Sequence, residues 1–115
     1  DAVADGYCIF HHPNYWRLHS DEVQNLFMEK LEDAIKNNRP FFCVGYNLPG
    51  VGLSRREFNI PLYFVNAVFH GEASFIGTKF DREVGFEDTH FYNGAYFNDA
   101  VFLLTSSFAS RASVA

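Results

Sequence analysis

Hydrophobic positions in the second half of the chain recur on a strict rhythm. Phenylalanine stands at Phe58, Phe64, Phe69, Phe75, Phe80, Phe86, Phe91, Phe97, Phe102 and Phe108, and the steps alternate between six and five residues. An α-helix cannot use this pattern, because a residue at about every 5.5 positions would wander around the cylinder. A hairpin meander would show alternating turn signals rather than one fixed period, and a fixed period marks a repeat architecture. The residues two places before each ring, from Phe64 onward, are Leu62, Ala67, Ala73, Thr78, Val84, Thr89, Ala95, Ala100 and Ser106, most of them small. In extended backbone, residues i and i−2 share a side. Each unit therefore sends one ring and one smaller side chain inward, while Ser74, Lys79, His90 and Tyr96 point out. Gly71 and Gly77 fall two residues after a ring and, with Gly94, supply places where a corner can use positive φ. Short sides joined by corners, stacked about 4.8 Å apart, make a solenoid with columns of rings inside.

The first half has a different pattern. Val23, Leu26, Phe27, Leu31, Ala34 and Ile35 fall on one face at helical spacing and predict a helix near residues 21–37. Ser20 or Asp21 serves as its N-cap, Asp21 with Gln24 has capping-box spacing, and Asn37, Asn38 and Pro40 stop it. Phe41-Phe42-Cys43-Val44 reads as a short buried strand. The turn-rich stretch 47–53 lacks the Gly-Lys-Ser/Thr ending of a phosphate loop and reads as a bend. The division expected is residues 1–57 as a cap region, 58–108 as the solenoid and 109–115 as a tail. The helix is the natural cap for an open first coil, since repeat stacks need covered ends. No comparable cap follows Phe108, so the expectation there is continuation, or a homodimer formed end to end through the C-terminal coil.

The 115 residues fit one domain, and 48% hydrophobic content excludes a disordered chain. The 14 phenylalanines are the outlying feature. Net charge is −5 with no basic stripe, so direct nucleic-acid binding is not expected. No apolar run reaches membrane-spanning length and no signal peptide is visible. Two cysteines are too few for a disulfide scaffold, which makes a reducing, cytoplasmic setting the default. The chain opens at Asp1 rather than Met, and the expectation is a cleaved or excised piece of something longer.

The repeat resembles the pentapeptide-repeat family, in its Phe-rich branch with alternating five- and six-residue steps. The inward pairs that carry the resemblance are Ala67/Phe69, Ala73/Phe75, Ala95/Phe97 and Ala100/Phe102. It implies an all-β solenoid, a right-handed quadrilateral β-helix with four units per coil, giving about two and a half coils from Phe58 to Phe108 below an N-terminal α-helical cap. This sequence departs from the pattern at Arg56, two before Phe58, and over 103–107, where the glycine is lost. Gly6-Tyr7-Cys8-Ile9-Phe10-His11 is similar to a segment ahead of such repeats in microbial relatives. There it forms the second half of a small zinc-binding knuckle. By that resemblance Cys8 and His11 are a metal half-site whose upstream ligands are absent here. No cofactor is expected in this chain, and zinc is expected only in a longer form.

Cys8 and His11 also have half-site spacing on their own, and His12, His19 and Cys43 are the residues that could complete a set. The plainer alternative makes Cys8 and Cys43 small core hydrophobes and the histidines loop residues. Glu72, Asp81, Glu83, Glu87, Asp88 and Asp99 outnumber the solenoid's cations, and Tyr63, Tyr92 and Tyr96 are candidates for a binding face or for covering neighbouring coils. No nucleophile motif or fixed carboxylate pair suggests catalysis. The function expected is therefore a non-enzymatic scaffold or protein-interaction module with an unidentified protein partner. By resemblance it is the cytoplasmic portion of a longer microbial channel-type protein. The alternative is a soluble DNA-mimicking regulator of a type II topoisomerase.

Overall fold

A computed structural model describes residues 9–103 and the pair Ser113–Val114. Extended segments alternate with corners, and every strand pairing between them is parallel. The first turn holds β1 (Phe41–Val44), β2 (Asn47–Leu48), β3 (Val51–Gly52) and β4 (Glu57–Phe58). The second holds β5 (Leu62–Val65), β6 (Val68–Phe69), β7 (Ala73–Ser74) and β8 (Lys79–Phe80). The third holds β9 (Val84–Gly85), β10 (His90–Phe91), β11 (Ala95–Tyr96) and β12 (Val101–Phe102). Strands one turn apart stack into four sheets, β1-β5-β9, β2-β6-β10, β3-β7-β11 and β4-β8-β12. A last strand, β13 (Ser113–Val114), extends the second sheet beyond β10, in a stretch expected to be only a tail.

The rings fill the bore in columns, as the i and i−2 pattern requires. Phe64 stacks on Phe86 at 5.2 Å, Phe69 on Phe91 at 5.0 Å, Phe75 on Phe97 at 4.9 Å and Phe80 on Phe102 at 4.9 Å, each pair nearly parallel. Between columns the rings meet edge to face, as Phe75 does with Phe86. This combination suits the quadrupole of the ring. At the i−2 positions Thr78 and Thr89 are fully buried. Their hydroxyls donate to the Leu53 and Phe64 carbonyls of the preceding turn at 2.6 and 2.9 Å, so burial leaves neither donor unmet.

The stacking begins earlier than residue 58. Segment 47–53, read above as a bend, contains β2 and β3, and Phe41–Val44 is the first strand of the ladder rather than part of a separate cap. Cys43, Leu48, Leu53 and Phe58 occupy the places of later phenylalanines, at steps of five. Each described sheet therefore draws strands from at least three turns, and the first turn fills its inward positions mostly with smaller side chains.

The corners after the first and third sheets share a backbone conformation. Gly45, Arg55, Asn66, Gly77, Asp88 and Asp99 all have positive φ, between 53° and 71°. Each lies two residues beyond an inward side chain of the first or third sheet. One left-handed residue turns the corner in each of these five-residue steps. The six-residue steps from Phe58, Phe69 and Phe80 turn without one, that from Phe91 carries Gly94 at φ 90°, and the five-residue step from Leu48 to Leu53 has none. Asn and Asp tolerate this region through local hydrogen bonding; Arg55 does not share that advantage. Gly71, expected at such a corner, is needed for a different reason. Its backbone lies so close to Pro49 that a Cβ would collide with the Pro49 carbonyl.

Two helices precede the ladder, α1 (Tyr15–Leu18) and α2 (Ser20–Lys36). The expected capping box does not form. His19 is the N-cap and makes no side-chain cap bond, while Gln24 reaches across to the Gly50 carbonyl. The short α1 runs directly into α2, leaving Ser20 and Asp21 already inside the first turn of helix. At the other end Asn38 has φ 53°, with Arg39 N–H bonded to the Ala34 carbonyl and Asn38 N–H to that of Ile35, a Schellman stop. Val23, Phe27, Leu31 and Ala34 are buried and join the same core as the rings. Phe27 meets Phe41 edge-on, so the helix covers the turn whose own side chains are smallest. Phe10 stacks on Tyr46 at 4.2 Å and fixes the preceding segment to the same turn. No helix among the described residues is long and apolar enough to cross a membrane.

Candidate functional site

Strand alternation places residues 40, 42 and 44 of the first sheet outward, with 61, 63 and 65 and then 83, 85 and 87 beneath them. The two upper rows are apolar: Pro40, Phe42 and Val44 above Pro61, Tyr63 and Val65. Phe42 is 57% and Val44 49% exposed, and Phe42 stacks on Tyr63 at 5.1 Å. The third row changes character to Glu83, Gly85 and Glu87. Gly85 completes the Phe42–Tyr63 column. The Tyr63 ring and the Glu87 carboxylate lean over the place where a side chain would stand. Arg39, ion-paired with Asp33 of α2, borders the top row beside Pro40. His11 borders it beside Val44, its Nε2 2.8 Å from the Val44 carbonyl oxygen. A groove between α2 and β1, lined by Leu26, Lys30, Asp33, Arg39, Phe41 and Phe42 among others, opens onto the same face.

A second aromatic cluster lies on the second sheet. Trp16 stacks on His70 at 3.9 Å, and His70 stacks on Tyr92 at 5.9 Å. His70 Nε2 is 3.2 Å from the Asn47 amide oxygen. Burial, and then the charge of Arg17, lower the pKa of His70 and favour its neutral form. Tyr92 is 56% exposed at the end of the stack. Tyr96 folds back over Gly94, covering its neighbour. Val101, Phe102 and Leu103 form a third exposed apolar group in the last described turn.

The candidate metal ligands are placed as follows. Cys8 lies outside the described residues. His11 is on the Val44 carbonyl, His12 Nδ1 accepts the Asn14 N–H, and His19 stacks on Tyr15 beside Glu22. Cys43 is fully buried, and burial pushes its thiol pKa well up, away from the thiolate that binds metals. Among the described residues no three His, Cys, Asp or Glu side chains group as a metal site. The sequence singled out Tyr63 but missed Phe42 and Val44 as surface, because Phe41-Phe42-Cys43-Val44 looked uniformly buried. Its two-residue alternation, with Pro before it, was the available signal.

The family model for pentapeptide repeats (9 copies) matches residues 64–109. No curated protein and no solved structure matches the chain. Small-then-Phe inward pairs, four parallel sheets and columns of stacked rings agree with that match, and the repeat segment of this chain belongs to the pentapeptide repeats.

Proposed function

We propose that the chain is a non-enzymatic interaction module whose contact surface is the first sheet. Pentapeptide repeats generally act as interaction or scaffold elements. The observation that supports this surface is the two-row apolar patch of Phe42, Val44, Tyr63 and Val65 on flat, rigid backbone. An exposed aromatic on a pre-ordered sheet contributes contact area with little ordering cost on binding. The resemblance of residues 6–11 favours the module as the cytoplasmic portion of a longer channel-type protein. A DNA-like surface would need a continuous file of carboxylates. Here Asp88 and Asp99 occupy corners, and Glu83 and Glu87 flank a glycine on the apolar face.

Site-specific photocrosslinking tests the surface. A benzophenone side chain at Tyr63 should give a discrete adduct in the source cell, while one at Lys79, on the fourth sheet, should give none. Equal labelling from both positions, or from neither, would remove the first sheet as the contact surface.

A further inference from the structure

We infer that the groove between the α1–α2 junction and the corner joining the second sheet to the third binds a small zwitterion with an apolar body. The site lies apart from the first sheet and does not depend on the reading of that sheet as a contact surface.

The groove has a volume of about 550 Å³, within the range of small-molecule sites. Its helical wall carries Trp16, Arg17 and Ser20, and its other wall, from the corners of the first and second turns, carries Val51, His70 and Glu72. Arg17 and Glu72 are exposed, and neither joins an ion pair among the described residues. Opposite charges thus line one groove without reaching each other. Most other polar groups there are already engaged. Gln24 donates to the Gly50 carbonyl at 3.2 Å, the Trp16 indole N–H to the Pro13 carbonyl at 2.8 Å, and the Gly71 N–H to the Pro49 carbonyl. What remains for a ligand is the Arg17 guanidinium with the Ser20 hydroxyl on one wall and the Glu72 carboxylate on the other.

That charge arrangement selects the ligand. A carboxylate on the Arg17 side and an ammonium on the Glu72 side satisfy both walls. A polyanion would meet Glu72 and a polycation would meet Arg17, each a like-charge contact. His70 adds no second cation, since burial first and the Arg17 charge second lower its pKa and favour the neutral ring. The rest of the lining includes Pro49, Val51 and the Trp16 indole, which suits an apolar side chain. An amino acid and a short peptide both carry this chemistry.

The walls are held in place before any ligand arrives. Trp16 stacks on His70 at 3.9 Å and fixes the helical wall to the coil. Gly50 and Gly71 bring the two turns so close that a Cβ on either would strike a carbonyl oxygen of the other turn. Binding therefore orders little. The groove is open to water, so each ion contact is modest, and selectivity comes from needing both.

Trp16 is the only tryptophan of the chain, so its fluorescence reports on the groove directly. The probes are leucine and leucyl-leucine, titrated into the full chain, with the N-acetyl and C-terminal amide forms of each. The free forms should change Trp16 emission saturably, and each blocked form should bind about fivefold more weakly or worse. In Arg17→Gln the amide forms should bind as well as the free ones, and in Glu72→Gln the N-acetyl forms should. Loss of these particular preferences, with circular dichroism unchanged, separates ligand contact from a structural role. Tighter binding of leucine assigns the site to free amino acids, and tighter binding of leucyl-leucine assigns it to short peptides. No saturable change with either probe overturns the inference. So do blocked forms that bind equally well, which would leave only an apolar cleft, and charge preferences that survive both substitutions.

Discussion

Truncating Phe86 should unfold far more than its position near one end of the chain suggests. The ring is fully buried, stacks on Phe64, and meets Phe75 and Phe97 edge-on and Phe91 at a tilt. Phe86→Ala removes the transfer energy of the ring and leaves a cavity that the two neighbouring columns of close-packed rings cannot collapse into. Buried Phe→Ala changes of this kind cost about 3–5 kcal/mol. Phe102 supplies the control. It holds the equivalent position in the fourth column but is 38% exposed and stacks on Phe80 from one side. Its truncation should cost about 1–2 kcal/mol, since part of the ring is already in water. A domain of this class has about 5–15 kcal/mol to lose, so Phe86→Ala approaches the threshold of folding. Urea denaturation followed by far-UV circular dichroism gives the comparison. With an m-value of about 1.5–2 kcal/mol/M, Phe86→Ala should lower the midpoint by roughly 2 M and Phe102→Ala by less than half of that. Phe86→Leu should recover much of the difference, because leucine already fills this kind of position at Leu48 and Leu53. Equal midpoint shifts for the two alanine variants would refute the idea that enclosure by neighbouring columns sets the energetics.

Three further outcomes follow from individual sites. Arg55 has φ 58° without the local bonding of Asn or Asp, so Arg55→Gly should raise stability by about 0.5–1 kcal/mol, read as a thermal midpoint a few degrees higher; a lower midpoint would contradict the strain. Cys43 should resist alkylation by iodoacetamide at neutral pH until urea unfolds the chain, as burial suppresses its thiolate; peptide mapping that finds native Cys43 labelled at the unfolded rate would contradict this. His70 has a pKa below the ordinary 6.5, from burial first and Arg17 second, so its contribution to stability is present above that value and lost as pH falls below it. Its ring should titrate below pH 6.5 by NMR and shift upward in Arg17→Gln; a midpoint above 6.5, or no response to Arg17→Gln, argues against that environment.

The part of the fold visible in the sequence was the part written in one residue type. Phe64 to Phe102 announce their columns because nothing else in the chain recurs as regularly. The first turn was hidden because Cys43, Leu48 and Leu53 do the same work with smaller side chains and at an unbroken step of five. A search for any apolar residue at that step would have found it. The helix was legible from its buried face, and its stop from Asn38. Its start was not, because α1 consumes the residues before it and leaves His19 as the cap. The corners were legible only in part: Gly77 and Gly94 were anticipated, whereas Asn66, Asp88 and Asp99 also take positive φ with side chains that read simply as polar surface. The candidate surface escaped for a related reason, since alternation within four residues decides whether Phe42 is core or contact, and composition cannot.

The first turn differs from the other two in what it encloses. Its smaller inward residues are matched to Phe27 and Leu31 of the helix above, whereas the second and third turns present phenylalanine to phenylalanine in every column. The two kinds of layer are therefore not exchangeable. The upper layer is a fitted lid seat, while the lower ones are equivalent courses. Duplicating or deleting one whole course would leave every remaining column in register and the seat untouched. The molecule can thus change length in increments of one turn without redesigning its closed end.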